Sequence, residues 1–330
     1  MLNETEILIV PEEAAGMRLD MFLSGQFPEQ SRSFLQKQIK EGNVRLKEPG
    51  KTEETAQPGD AGLFARTGKA GKPGMLLRAG DVIMVQLPAP KELEVLPEEI
   101  PLDILYEDED LLVVNKPKGM VVHPAPGHES GTLVNALMWH CRDRLSGING
   151  VLRPGIVHRI DADTTGSLIV CKSDRAHAGI AAQLEEHSIH RRYEAIVHGR
   201  LSEKEGTIDA PIGRHPVDRK RMAVRRDGYG KNAVTHYRVL HSYDRFTHIE
   251  CRLETGRTHQ IRVHLSSIGH PLLGDGVYGS SVSRIFGMEL RGQTLHAKTI
   301  GFVHPVTGEY MEFEAPLPEY FTFLLQKLGG

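Results

Sequence analysis

The stretch His158-Arg159-Ile160-Asp161-Ala162-Asp163-Thr164-Thr165-Gly166 puts two carboxylates beside a basic pair, just ahead of the apolar run Ser167-Leu168-Ile169-Val170-Cys171. An aspartate in a loop that hands over to a strand can serve as a nucleophile or a base. The same residue can also do no more than close a turn through its own backbone hydrogen bonds. Asp161 and Asp163 are equally eligible on these grounds. Two carboxyl groups about 5–5.5 Å apart would suit a retaining glycosidase or nucleosidase, so hydrolysis stays open at this point. A non-catalytic RNA-binding protein is a further alternative.

Other chemistries find little support. The 17 histidines invite a metal, but no His-Glu-x-x-His occurs, and His259 and His264 are five apart, poor spacing for one helical face. Cys141, Cys171 and Cys251 form no Cys-x-x-Cys pair, which argues against zinc and against a disulfide framework. Gly71-Lys72 is followed by Pro73, so it is no phosphate loop, and Gly228-Tyr229-Gly230 is too short for a dinucleotide fingerprint. No metal and no cofactor are expected. No apolar run nears the ~20 residues that span a bilayer, and the acidic start Met1-Leu2-Asn3-Glu4 lacks the features of a signal peptide. The expectation is a cytoplasmic protein with no membrane partner, a monomer with no obligatory protein partner.

The formal net charge is −3, low for a nucleic-acid binder, yet its distribution is uneven. Residues 214–238, with Arg214, Arg219, Lys220, Arg221, Arg225, Arg226, Lys231 and Arg238 against Asp218 and Asp227, carry a net +6. Residues 92–110 hold nine acids and no Lys or Arg. A local basic stretch of this kind favours a polyanionic partner.

The elements that must position these groups fall into two parts. After an N-terminal extension (1–15), residues 16–88 read as a small α/β module. It has a helix from Arg18, a second from Arg32 to Glu41 capped by Ser31, a strand from Val44, and a closing strand at 81–85. A Gly-, Pro- and Lys-rich insertion (about 47–74) interrupts it, and an acidic linker (89–104) follows. From 105 to 330 the pattern is strand-rich. Strands are expected near 111–115, 167–172, 192–197, 234–240, 247–253 and 294–303. Helices are expected over 132–144, from 174 to 184 with Ser173 as cap, from Thr258 to Gly269 with Thr258 as cap, and over 320–328. With no βαβ alternation, the class is α+β with a mixed, mostly antiparallel sheet.

Several motifs then line up in order: Val114-Asn115-Lys116-Pro117-Lys118-Gly119, the His158–Gly166 stretch, Arg191-Arg192-Tyr193-Glu194-Ala195, Gly256-Arg257-Thr258-His259-Gln260-Ile261-Arg262-Val263-His264, and Gly269-His270-Pro271-Leu272-Leu273-Gly274-Asp275. Over roughly 101–315 they resemble the RluA-type pseudouridine synthases, most closely the branch acting on the large ribosomal subunit. Gly16-Met17-Arg18-Leu19-Asp20 with Ser31-Arg32-Ser33 resembles the RNA-binding domain named after ribosomal protein S4. The resemblance implies a pseudouridine synthase fold and isomerisation of uridine in RNA, with 23S rRNA or its precursor as partner. It assigns the catalytic aspartate to Asp161, an active-site tyrosine to Tyr193 and the aspartate-pairing arginine to Arg262, and leaves Asp163 without chemistry. Arg262 would hold Asp161 ionised and aimed through opposite charge and bidentate hydrogen bonds. Tyr193 would stack on an extruded uracil. RNA contacts are expected from His158, Arg159, Arg257 and His259, from Arg18 and Arg32 in the small module, and from Arg219, Lys220 and Arg221 in the basic stretch.

Overall fold

The computed structural model describes residues 5–27, 32–46, 69–86, 95–125, 127–142, 144–148, 154–218, 221–279 and 284–329. The chain divides into two compact units, Met1–Glu92 and Leu93–Gly330.

In the first unit β1 (Thr5–Ile9) precedes helices α1 (Leu19–Gln26) and α2 (Arg32–Lys40) and the short strands β2 (Val44–Leu46), β3 (Lys69–Ala70) and β4 (Val82–Gln86). The four strands form one antiparallel sheet in the order β1-β4-β2-β3. Residues 5–9, expected to lie in an extension outside the module, are thus its edge strand. Leu19, Leu23, Leu35 and Ile39 of the helices meet Val44, Ile83 and Val85 of the sheet in one core. These apolar positions recur at helical and strand periods, so their burial follows from the pattern. Most of the 47–74 insertion, and the Ser31 cap, lie outside the described residues; 69–70 pair with β2.

The second unit is built on β5 (Ile104–Glu107), β6 (Leu111–Lys116), α3 (Leu133–Cys141), β7 (Thr165–Cys171), α4 (Asp174–Glu185), β8 (His190–His198), β9 (Glu205–Asp209), β10 (Ile212–Arg214), β11 (Met222–Val224), β12 (Val234–Ser242), β13 (Phe246–Leu253), α5 (Gln260–Ser267), β14 (Arg284–Ile285), β15 (Met288–Glu289), β16 (Leu295–Val303), β17 (Tyr310–Glu314) and α6 (Glu319–Gly329). A nine-stranded sheet runs β5-β6-β7-β16-β8-β13-β12-β9, with β17 pairing the far half of β16. Its β7–β16 pair is parallel and its other pairs are antiparallel. The mixed, mostly antiparallel α+β class holds.

Alternation along β6 shows why the sheet is covered on both faces. Leu112 and Val114 pack with Leu133, Val134 and Leu137 of α3, while Leu111 and Val113 pack with Ala176 and Ile180 of α4. β7 lies between β6 and β16 and is buried along its whole length. This places the loop that feeds it, 158–164, at the edge of a rigid central strand. Gly166 sits at φ +108°, and a Cβ there would run into the Ala297 backbone, so the close β7–β16 contact needs glycine.

Three local expectations change. The stretch 95–98 in the middle of the proposed linker packs against α3: Val95 is buried in the main core, and Asn135 Nδ2 donates to Leu96 O at 2.8 Å. The helix from 133 stops at Cys141, because Arg142 takes φ +53°. Thr258 does not cap α5. His259 occupies the N-cap position in the left-handed region, with no side-chain cap.

Candidate active site

Asp161 lines a cleft of about 350 Å³ with Arg159, Arg191, Tyr193, His259 and Arg262. That volume is at the lower end of those that hold small ligands, roughly 300–1,000 Å³. Among the described residues lining it, Asp161 is the one carboxylate.

Several backbone contacts hold the loop that carries it. Thr164 N donates to Asp161 O (3.0 Å), closing the turn. Ala162 O accepts from Gly119 N (2.9 Å) and from Lys116 Nζ (2.8 Å). Lys116 is buried, and its ammonium also donates to Pro117 O and Met120 O, so all three of its protons are used. Burial lowers its pKa against the pull of Asp163 and Asp161. The Lys-Pro-Lys-Gly motif therefore clamps the loop that carries Asp161. Asp163 does not line the cleft. It packs on the bare Cα of Gly292, where a Cβ would overlap its carboxylate. A two-carboxylate site with Asp161 loses its basis.

Arg262 reaches Asp161 from α5. Its Nη1 donates to Asp161 Oδ2 at 2.9 Å. The bidentate partner expected for Arg262 is another residue: Nε and Nη2 donate to the two oxygens of Asp275, at 2.7 and 3.0 Å. Asp275 is fully buried and also accepts from the amides of Val277 (3.0 Å) and Tyr278 (3.1 Å). Burial alone would raise its pKa. The Arg262 bonds and charge, with the two amides, hold the carboxyl below its ordinary value. Asp275 thus takes one edge of the guanidinium and fixes its plane, leaving Nη1 aimed at Asp161. Asp161 keeps 18% of its side-chain surface, open to the cleft.

Tyr193 lies on β8 in the cleft wall, and its ring is part of the main core. Burial raises its pKa, and the Asp161 charge adds to this against Arg191, so the phenol is protonated at neutral pH. His259 Nε2 is 3.8 Å from Asp161 Oδ1, too long for a hydrogen bond. Its Nδ1 is 2.8 Å from Tyr278 Oη, which accepts from Met222 N (2.8 Å). The Tyr278 proton then goes to Nδ1, which leaves Nε2–H on the side of Asp161. Burial lowers the His259 pKa despite that neighbouring charge, so the ring is neutral at pH 7.

The other expected contacts divide. Arg159 is exposed on the cleft, and Arg257 lines it while its Nε donates to Asn232 O (2.9 Å). His158 is half-buried and also lines the cleft, but its Nε2 accepts from Ile169 N at 2.9 Å, pinning the loop to β7. Burial and the Arg191 charge push its pKa down to about 3, so it adds no positive charge for RNA. Arg221 lies over the Tyr278 ring at 5.4 Å, whereas Arg219 and Lys220 fall outside the described residues. Arg18 and Arg32 belong to the first unit, where both are ion-paired with the buried Asp20 at 3.0 and 2.8 Å, their side chains about half exposed. Burial would raise the Asp20 pKa, but these arginines and Gln36 hold it well below the carboxylate range.

Sequence reasoning missed Gln260, Asp275, Tyr278 and Arg191. Buried Gln260 uses its whole amide: Oε1 accepts from Thr255 Oγ1 and Arg257 N, and Nε2 donates to Val234 O and Thr235 Oγ1. It ties the 255–257 turn to β12. A glutamine inside an apolar helical stripe was a signal for Gln260, and Arg191 and Asp275 stood inside two of the ordered motifs.

Residues 110–267 match the family model described as RNA pseudouridylate synthase. The chain is 50% identical over 327 residues to a Bacillus subtilis protein described as the uncharacterized RNA pseudouridine synthase YlyB, covering 99% of both chains. It is 47% identical over 328 residues to the ribosomal large subunit pseudouridine synthase D of Zymomonas mobilis, covering 98% of both. Of solved structures, human RNA pseudouridylate synthase domain containing 4 aligns with TM-score 0.54 at 25% identity, over 69% of this chain and 93% of that one. The human domain containing 1 protein gives 0.52 at 26%, over 74% and 98%. Sheet, cleft and relatives define an RNA-modifying isomerase. The chain belongs to the RluA-type family of RNA pseudouridine synthases.

Proposed function

We propose that this enzyme isomerises specific uridines of large-subunit ribosomal RNA, with Asp161 as the reacting group. The observation that carries this reading is the Arg262–Asp161 bond at 2.9 Å inside a nucleotide-sized cleft walled by Tyr193. Relatives named for the large ribosomal subunit, at 47% and 44% identity, support the substrate class.

The target atoms are stacked inside folded RNA, so the nucleotide flips into the cleft at a cost of about a few kcal/mol. Asp161 attacks C1′ and the N1–C1′ bond breaks, leaving the electron pair on the uracil. The uracil turns, C5 bonds C1′, the Asp161–C1′ bond breaks, and the C5 proton is lost while N1 gains one. Substrate and product are isomers, so the reaction needs no co-reactant. Arg262 holds the carboxylate, and the protonated Tyr193 offers a ring face and a hydroxyl. Arg159 and Arg257 meet the displaced strand at the cleft. The first unit, with Arg18 and Arg32 displayed around Asp20, acts as an S4-type RNA-binding module.

Pseudouridine mapping on total rRNA from cells with and without this protein identifies the site. In vitro, Asp161→Asn is expected to bind RNA with near-wild-type affinity and to form no pseudouridine. Wild-type turnover in that variant would sink the mechanism.

A further inference from the structure

Arg191 has no part in the reaction above, yet it lines the same cleft and is only 7% exposed. It lies two residues before Tyr193 on β8, so both side chains leave the same face of the strand. Arg192, between them, points away to Glu312 on β17 (2.8 Å). The Arg191 guanidinium crosses the bare Cα of Gly256: a Cβ there would lie 2.8 Å from Nη1. Its contacts are sparse. Nη2 donates to Glu254 O at 3.3 Å, Nε is buried without a partner, and among the described residues no carboxylate pairs with it. A buried guanidinium that holds its charge without an anion is unfavourable unless something else supplies one. His158, held neutral beside it, adds no second positive charge but supplies no negative one.

We propose that Arg191 is the floor of a phosphate subsite that takes a phosphodiester flanking the flipped nucleotide. This rests on the reading of the cleft as the uridine site. The guanidinium fork matches phosphate geometry, and among the described residues four of its five N–H groups are uncommitted. A neutral uracil carbonyl would satisfy hydrogen bonds but leave the charge uncompensated. Two strand residues span about 6.6 Å, so a base against Tyr193 brings its own flanking phosphate within reach of Arg191. Arg159 and Arg257 line the same cleft and add positive potential along the path of the strand.

The test uses the full-length enzyme and a short ribosomal RNA hairpin carrying the mapped uridine. It is made with ordinary phosphodiesters or with one uncharged methylphosphonate on either side of that uridine. Arg191→Gln is expected to weaken binding about ten- to a hundredfold, the usual effect of losing hydrogen bonds to a charged group. It should also make the slope of log affinity against log salt shallower by about 0.7, the value for one phosphate on a single strand. One of the two methylphosphonates should weaken the wild type by a similar factor and leave Arg191→Gln unaffected. Gly256→Ala keeps the arginine but crowds it, and should show a smaller loss at that same phosphate. This variant and the methylphosphonates on wild type keep the test decisive if Arg191→Gln does not fold. An unchanged salt slope in Arg191→Gln, or equal methylphosphonate sensitivity in variant and wild type, overturns the subsite. A wild type that forms no pseudouridine in ribosomal RNA instead overturns the proposed function.

Discussion

The Asp275–Arg262 pair makes the sharpest test of how the site is held. Asp275→Asn keeps the side chain's volume and removes one acceptor oxygen. In the wild type the carboxylate accepts four N–H bonds, two from Arg262 and two from the Val277 and Tyr278 amides. An asparagine oxygen oriented to satisfy the amides presents its NH₂ to the guanidinium, donor against donor. Removing one partner of a buried ion pair costs about 3–5 kcal/mol. Retained volume and amide bonds place this case near about 3 kcal/mol. For a unit of this size that lowers Tm by about 6–12 °C, at about 2–4 °C per kcal/mol. The second consequence is catalytic. With its fixed edge gone, the guanidinium no longer aims Nη1 at Asp161, and a displacement of about 1 Å costs on the order of a hundredfold in rate. Asp275 does not line the cleft, so KM should change little. Tritium release from RNA labelled at uracil C5 reads kcat and KM, because that hydrogen leaves in the reaction. A wild-type kcat alongside a lowered Tm would refute the claim that Asp275 aims Arg262. An unchanged Tm would refute the buried-pair reasoning itself.

Three further outcomes are expected. Tyr278→Phe removes the hydroxyl between Met222 N and His259 Nδ1, and should cost about 1–3 kcal/mol for the groups left unpaired; ¹⁵N NMR should find wild-type His259 as the Nε2–H tautomer, and an Nδ1–H ring would contradict the assignment. Acid should destabilise the fold well before the carboxylates titrate. The unfolded chain protonates its histidines below pH 6.5, whereas folded His158 stays neutral to about pH 3. The unfolded state therefore binds more protons across that window, and stability falls with pH by up to about 1.4 kcal/mol per unit from this residue. Urea unfolding at several pH values should show a flatter dependence for His158→Gln, and an identical slope would exclude His158 as the source. Neutralising Arg219, Lys220 and Arg221 together should weaken RNA binding and flatten its salt dependence, and an unaltered slope would remove this stretch from the interface.

Much of this molecule was legible in local patterning. Strand alternation and helical stripes located most of the second unit, and its mostly antiparallel sheet followed. The errors came where long-range contacts decide. Thr5–Ile9 has too few residues to reveal that β4 waits 73 residues beyond its end. The 89–104 segment carries five acids against one lysine, and Val95 becomes core only because α3 packs there. Thr258 is a good cap residue by type, but the helix starts after a left-handed His259.

The site divides the same way. Residue types alone left Asp161 and Asp163 equal; the family resemblance carried by the ordered motifs pointed to Asp161, Tyr193 and Arg262. It also set Asp163 aside, and the structure places that carboxylate on Gly292, away from the cleft. The tertiary structure decided who holds whom. Arg262 spans 101 residues to reach Asp161 and gives its forked edge to Asp275. His158 is basic by type but turns its Nε2 to the Ile169 amide and stays neutral, while Arg191 is buried with no carboxylate paired to it among the described residues. Periodicity is a property of neighbouring residues and can be read along a chain. Ionisation, pairing and the direction a side chain faces depend on what the folded chain brings alongside and on how much water it leaves there.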